Sequence, residues 1–183
     1  MSTTQTKSYL TPSERHSIIL QIINTPQIKK EDINAMARIK NPQSELKEDI
    51  ILTPWIAENT PLVFGEDIDW RENVSLTNVR GISNNRSVPD FIGIDKSKSE
   101  RPVLVEVKFT FHYPGDSSSD LIHKSIGQIL QYRLDYMRKY PSIAQLRLFI
   151  VSIDYSEVVD EVCQDLQGRD IDLKHIAIEK RFK

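Results

Sequence analysis

The run Val103-Leu104-Val105-Glu106-Val107-Lys108-Phe109 constrains this chain more than any other stretch. It is β-branched and apolar except for one acid and one base, and it reads as a strand. Side chains two apart share a strand face, so Leu104, Glu106 and Lys108 point one way and Val103, Val105, Val107 and Phe109 the other. A carboxylate and an ammonium on a largely apolar strand are costly unless something uses them. A second run, Val88-Pro89-Asp90 leading into Phe91-Ile92-Gly93-Ile94, closes a polar, Asn/Ser/Gly-rich stretch. The segment from Lys96 to Arg101 is long enough for a hairpin loop that sets the two strands side by side. Asp90 and Glu106 would then meet at one edge of the sheet. Two carboxylates there suit a hard divalent cation, with Lys108 beside it.

A length of 183 residues and an apolar share of 39% suit one domain with an adequate core. Residues 1–40 read as an N-terminal helical arm and 41–183 as the main body. Lys+Arg 24 against Asp+Glu 26 gives a net charge of −2. Any contact with nucleic acid must then rest on a local basic surface rather than on the field of the whole chain. The single cysteine, Cys163, excludes an intramolecular disulfide and a zinc cluster; its amphipathic setting makes it buried filler. The N-terminus has no apolar leader region, and no apolar run approaches the ~18 residues of a membrane span. A soluble, cytoplasmic protein with no membrane partner is expected.

Along the chain, Thr11-Pro12-Ser13-Glu14 caps a helix carrying Ile18, Ile19, Ile22 and Ile23 at helical spacing, and Asn24-Thr25-Pro26 stops it. A second short helix fits 29–39. A third starts at Asn41-Pro42 and runs to Thr53-Pro54, where Pro54 either kinks it or opens a separate turn. Strand-like text covers 74–79, then the Asp90 and Glu106 strands. A Ser-rich loop over 110–120 precedes a long helix to Lys139. A buried-type strand over 146–153, a helix over 157–166 stopped by Gly168, and a last strand over 171–178 complete the chain. That order predicts an α/β sandwich around a mixed sheet.

Taken together, Pro89-Asp90 and Glu106-Val107-Lys108 resemble the PD-(D/E)XK nuclease superfamily, and Gln128 and Tyr132 match the Gln-x-x-x-Tyr carried by several of its branches. Glu-x-Lys alone occurs by chance in most proteins; the ordered set, over about 45–153, carries the resemblance. It implies the restriction-endonuclease-like α/β/α sandwich and a metal-dependent deoxyribonuclease, an endonuclease hydrolysing DNA phosphodiester bonds in repair, restriction or mobile-element processing. Mg²⁺, with Mn²⁺ able to substitute, would sit on Asp90, Glu106 and the Val107 carbonyl, with a third acid from the upstream helix. Glu48 is preferred there over Glu45 because Ile51 and Trp55 follow it at +3 and +7, placing it beside the apolar stripe. Lys108 would orient or deprotonate the attacking water, its pKa lowered by partial burial. Gln128 would stand near that water or Lys108, and Tyr132 near a phosphate. DNA is the implied partner, and a homodimer the usual route to cutting both strands. Arg80, Arg86, Lys124 and Arg133 are candidates for phosphate contacts, with Arg138 and Lys139 behind them.

Each residue also has a plainer reading. Asp90 after Pro89 suits a turn cap, and Glu106 with Lys108 suits an exposed edge strand. Gln128 and Tyr132 suit ordinary helix packing, and a catalytically silent DNA-binding or assembly module would keep the same fold. A third reading takes residues 12–40 as a reduced helix-turn-helix, although no basic recognition helix stands out. The four histidines, His16, His112, His123 and His175, show no metal-ligand spacing.

Overall fold

The computed structural model describes residues 10–25, 28–39, 47–65, 68–71, 88–96, 100–110 and 118–182. Helix α1 (Pro12–Asn24) opens on a capping box in which the Thr11 side chain and Glu14 satisfy each other's free amides. Helix α2 (Lys30–Met36) follows. A π-helical turn, α3 (Glu48–Leu52), leads directly into α4 (Thr53–Glu58) and α5 (Thr60–Phe64). Pro54 lies in the first turn of α4, a position that tolerates proline, directly after the π-helical turn. Then come β1 (Ile68–Arg71), β2 (Phe91–Asp95), β3 (Arg101–Lys108), α6 (Ser118–Lys139), β4 (Arg147–Ser152), α7 (Glu157–Gln167), β5 (Asp172–Ala177) and α8 (Ile178–Phe182).

The strands form one sheet in the order β1-β2-β3-β4-β5. The β1–β2 and β2–β3 pairs are antiparallel, whereas β3–β4 and β4–β5 are parallel. The parallel steps need crossovers, which α6 and α7 supply. Strand periodicity divides the core in two. Val103, Val105, Val107 and Phe109 join Phe149, Val151 and Ile176 against α1 to α5 and α8. Leu104, Leu148, Ile150 and Leu173 face Ile122, Ile129 and Tyr132 of α6 and Val159 and Cys163 of α7. The result is an α/β sandwich around a mixed sheet.

The expected N-terminal arm is part of this core. Ile18, Ile19, Ile22, Ile23, Ile33 and Ala37 share one apolar cluster with the β3 valines. The strand expected over 74–79 lies outside the described residues. The first described strand is instead Ile68–Arg71, a four-residue edge strand whose alternation is too short to stand out in sequence. The last strand ends at Ala177, because Ile178 begins α8.

Candidate functional site

Asp90 stands just before β2. Its amide donates to the Val105 carbonyl at 2.9 Å, and since Phe91 pairs with Val105, the register carries Asp90 to the level of Glu106. Pro89 has no N–H with which to continue the ladder. The Asp90 carboxylate takes up the next β3 amide instead: the Val107 N–H donates to Oδ2 at 2.6 Å. Glu106, on the opposite face of β3 from Val105 and Val107, is 2% exposed. Its Oε1 lies 2.5 Å from the Lys108 Nζ, and the Tyr132 hydroxyl of α6 hydrogen-bonds to the same carboxylate.

Glu48 arrives from the other layer. It begins the π-helical turn, in which the Thr53 amide reaches back to the Glu48 carbonyl. Such a turn accommodates one extra residue and re-aims its side chains relative to an α-helix. Ile51, Leu52, Trp55 and Ile56 are fully buried and anchor the segment. Glu48 thereby reaches the C-terminal end of β3, where its Oε2 accepts the Phe109 amide at 3.0 Å and its Oε1 lies 3.8 Å from the Lys108 Nζ.

Three acids from three elements therefore crowd one lysine. Burial, reinforced by the like charge of Glu106, pushes the Asp90 carboxyl up to about 7. Burial likewise raises Glu48, against the pull of Lys108. For Lys108, burial acts to lower the pKa, yet Glu106 and Glu48 outweigh it and the ammonium is held above its ordinary value. The expectation of a lowered lysine pKa is thus corrected: desolvation is real, but two carboxylates oppose it. Burial also raises the Tyr132 hydroxyl, and Glu106 adds to the shift.

The structure brings Glu48, Asp90, Glu106, Lys108 and Tyr132 together, with Val107 contributing its amide. Tyr132 lies beside the Glu106 carboxylate. Gln128, one turn earlier on α6, is exposed, as is Lys124, while Arg133 is half-buried. Arg80, Arg86, Glu45 and His112 lie outside the described residues; His123 is exposed. Cys163 is buried and its thiol is pushed up to about 12, first by burial. Sequence reasoning missed a buried chain of Ser152, His175 and Asp160, whose members lie 23 and 15 residues apart and carry no spacing signal. It also missed the Arg147–Asp95 pair, 2.7 Å apart, at the opposite end of the sheet.

As they stand, the carboxylates are turned onto protein donors. Among the described residues no group of three or more His, Cys, Asp and Glu side chains is arranged to hold a metal ion, nor is any helix long and apolar enough to cross a membrane. No family model, curated protein or solved structure matches the chain.

Proposed function

We propose that this chain is a metal-dependent deoxyribonuclease with the restriction-endonuclease-like arrangement, hydrolysing DNA phosphodiester bonds as an endonuclease. The single observation that carries the reading is the crowding of Glu48, Asp90 and Glu106 around Lys108 at the end of β3. One ammonium cannot balance three carboxylates, and burial together with the like charge of Glu106 raises the Asp90 carboxyl. A divalent cation with oxygen ligands would relieve it, and the donor set is the hard, anionic kind that Mg²⁺ or Mn²⁺ takes.

Asp90 and Glu106 would hold the ion, with the Val107 carbonyl and Glu48 as further ligands. When bound, the ion neutralises phosphoryl charge and lowers the pKa of a coordinated water. Lys108, beside Glu106, would place its charge by the scissile phosphate and orient the water. Tyr132 would hold the Glu106 carboxylate at a fixed angle, because its hydroxyl already bonds it. Glu48, tied to the Phe109 amide, would set the other side of the lysine.

A second reading, a DNA-binding or assembly module without chemistry, is favoured by one observation: each carboxylate has a protein donor or cation, so the cluster also works as a structural ion network. Supercoiled plasmid separates the two. With Mg²⁺ or Mn²⁺ the nuclease yields nicked or linear product, and Glu106→Ala or Lys108→Ala removes it. DNA retardation in gels without cutting of duplex, branched or single-stranded substrates would establish the module instead.

A further inference from the structure

A second polar chain lies at the C-terminal ends of β4 and β5. The Ser152 Oγ is 2.7 Å from His175 Nε2, and His175 Nδ1 is 3.0 Å from Asp160 Oδ1. The Ser152 Oγ is also 2.7 Å from the Asp154 carbonyl oxygen. Ser152 is 0% exposed, and so is the His175 side chain, whereas the Asp160 side chain is 34% exposed. The chain thus runs from the interior to the surface across β4, β5 and α7.

Donor and acceptor counting decides what this arrangement does. The Asp160 carboxylate only accepts, so Nδ1 carries a proton. A neutral ring then has a bare Nε2, which needs the Ser152 hydroxyl proton. The Asp154 carbonyl accepts from the same hydroxyl, which has one proton to give. A charged ring removes the competition: Nε2–H donates to Ser152 Oγ, and the hydroxyl turns to Asp154. Both protonation states therefore fit the same heavy-atom positions, and the charged ring lets Nε2 and the Asp154 carbonyl bond to Ser152 at once. Burial opposes the charged ring and pulls the His175 pKa below its ordinary value, with Asp160 working against that pull.

The surrounding charges reinforce the chain. On α7, Asp160 faces the ring and the Cys163 thiol meets the His175 backbone. After β4, Tyr155 stacks on the ring at 6.3 Å and 17°, and its hydroxyl bonds to Asp160. From α8, Lys180 sits 3.4 Å above the Tyr155 ring and Glu179 accepts the Tyr155 amide. The same three side-chain types serve as nucleophile, base and orienter in hydrolases, but here the hydroxyl is sealed from any substrate.

We propose that Ser152, His175 and Asp160 form an internal proton-binding site: His175 takes up a proton at Nε2 in place, the Ser152 hydroxyl rotates to the Asp154 carbonyl, and the packing of α7 on the sheet is thereby coupled to pH. Ser152 is the register partner of Lys108 on the neighbouring strand, but none of the three side chains is a ligand in the proposed metal centre, so the inference does not rest on the nuclease reading.

Imidazole nitrogen NMR on the full-length protein between pH 4.5 and 8.5 tests it, with His175 assigned by His175→Gln. The neutral ring is expected to carry its proton on Nδ1, and both nitrogens are expected to be protonated at the acid end. The amides of Val159 and Cys163 should follow the same midpoint. Asp160→Asn, at a partly exposed position, should weaken proton binding at least tenfold, and Ser152→Ala should weaken it less. A neutral ring protonated on Nε2, a ring that never titrates in the folded protein, or a midpoint unmoved by Asp160→Asn would overturn the proposal. So would covalent labelling of Ser152 by a fluorophosphonate, which requires an accessible hydroxyl.

Discussion

Glu106 is held by a cation on one side and a phenol on the other, so it can exchange partners without leaving its place. On the proposed reading, that makes Tyr132 a positioning residue. Tyr132→Phe keeps the ring in the α6 core but removes the bond to Glu106; it should cost on the order of 1–2 kcal/mol by denaturant unfolding. Mn²⁺ affinity by calorimetry should fall in the same variant, which a purely structural tyrosine would not cause. Lys108→Ala should lower plasmid cleavage by roughly 10²-fold or more while DNA retardation persists. Asp90 offers a check that needs no substrate. Its folded pKa of about 7 lies above the ordinary 3.8, so the folded state binds that proton more tightly than the unfolded one. The stabilisation is complete below about pH 4 and is lost as pH rises through about 7. Metal-free Asp90→Asn should therefore melt higher than wild type at pH 8, by on the order of 1 kcal/mol or roughly 3 °C, and equally at pH 4. A lower melting point at pH 8 would show that the carboxylate is not strained by its neighbours.

At the scale of elements, the β1–β2 edge depends on Gly93. A Cβ there would lie 2.6 Å from Ile68 Cγ2 and 2.9 Å from Trp70 Cε3. Gly93→Ala should push β1 off the sheet and lower stability by about 1–3 kcal/mol in urea unfolding. The elements were legible to different degrees. The β3 strand, α6, β4 and α7 follow from periodicity and from their stop signals, because a half-buried strand or helix writes its period into its side chains. The π-helical turn was not legible, since Glu48, Asp49, Ile50, Ile51 and Leu52 read as ordinary helix. Ile51 and Trp55, on either side of its end, are buried in the core, a long-range setting that local pattern does not record. Glu48 was nonetheless preferred from its place beside that apolar stripe, and the structure sets it against Lys108.

For the molecule as a whole, the helices before β1 are part of the core rather than an appendage. Removing residues 1–39 should abolish cooperative unfolding, because it exposes the β3 valines and Trp55; a truncated chain that melts sharply would show that the arm is dispensable. Acid stability tests the other face. The His175 pKa lies below its ordinary 6.5, so its contribution is complete above that pH and is lost as pH falls through the lowered folded value. The stability difference between wild type and His175→Gln should therefore shrink or invert on acidification from pH 7 to pH 5, measured by urea unfolding at each pH.

The amino-acid order by itself determined the two faces of β3, the placing of Glu106 and Lys108 on one of them, and the alternation of strands and helices that makes a mixed sheet. These are local matters, set by the two-residue period of a strand and the turn chemistry around it. Tertiary structure alone decided which charges meet. Lys108 rises rather than falls in pKa because Glu106 lies against it and Glu48 joins from another layer, and His175 finds Ser152 and Asp160 only where β4, β5 and α7 converge. Coulomb energy and desolvation depend on distance through space, which no spacing along a chain records.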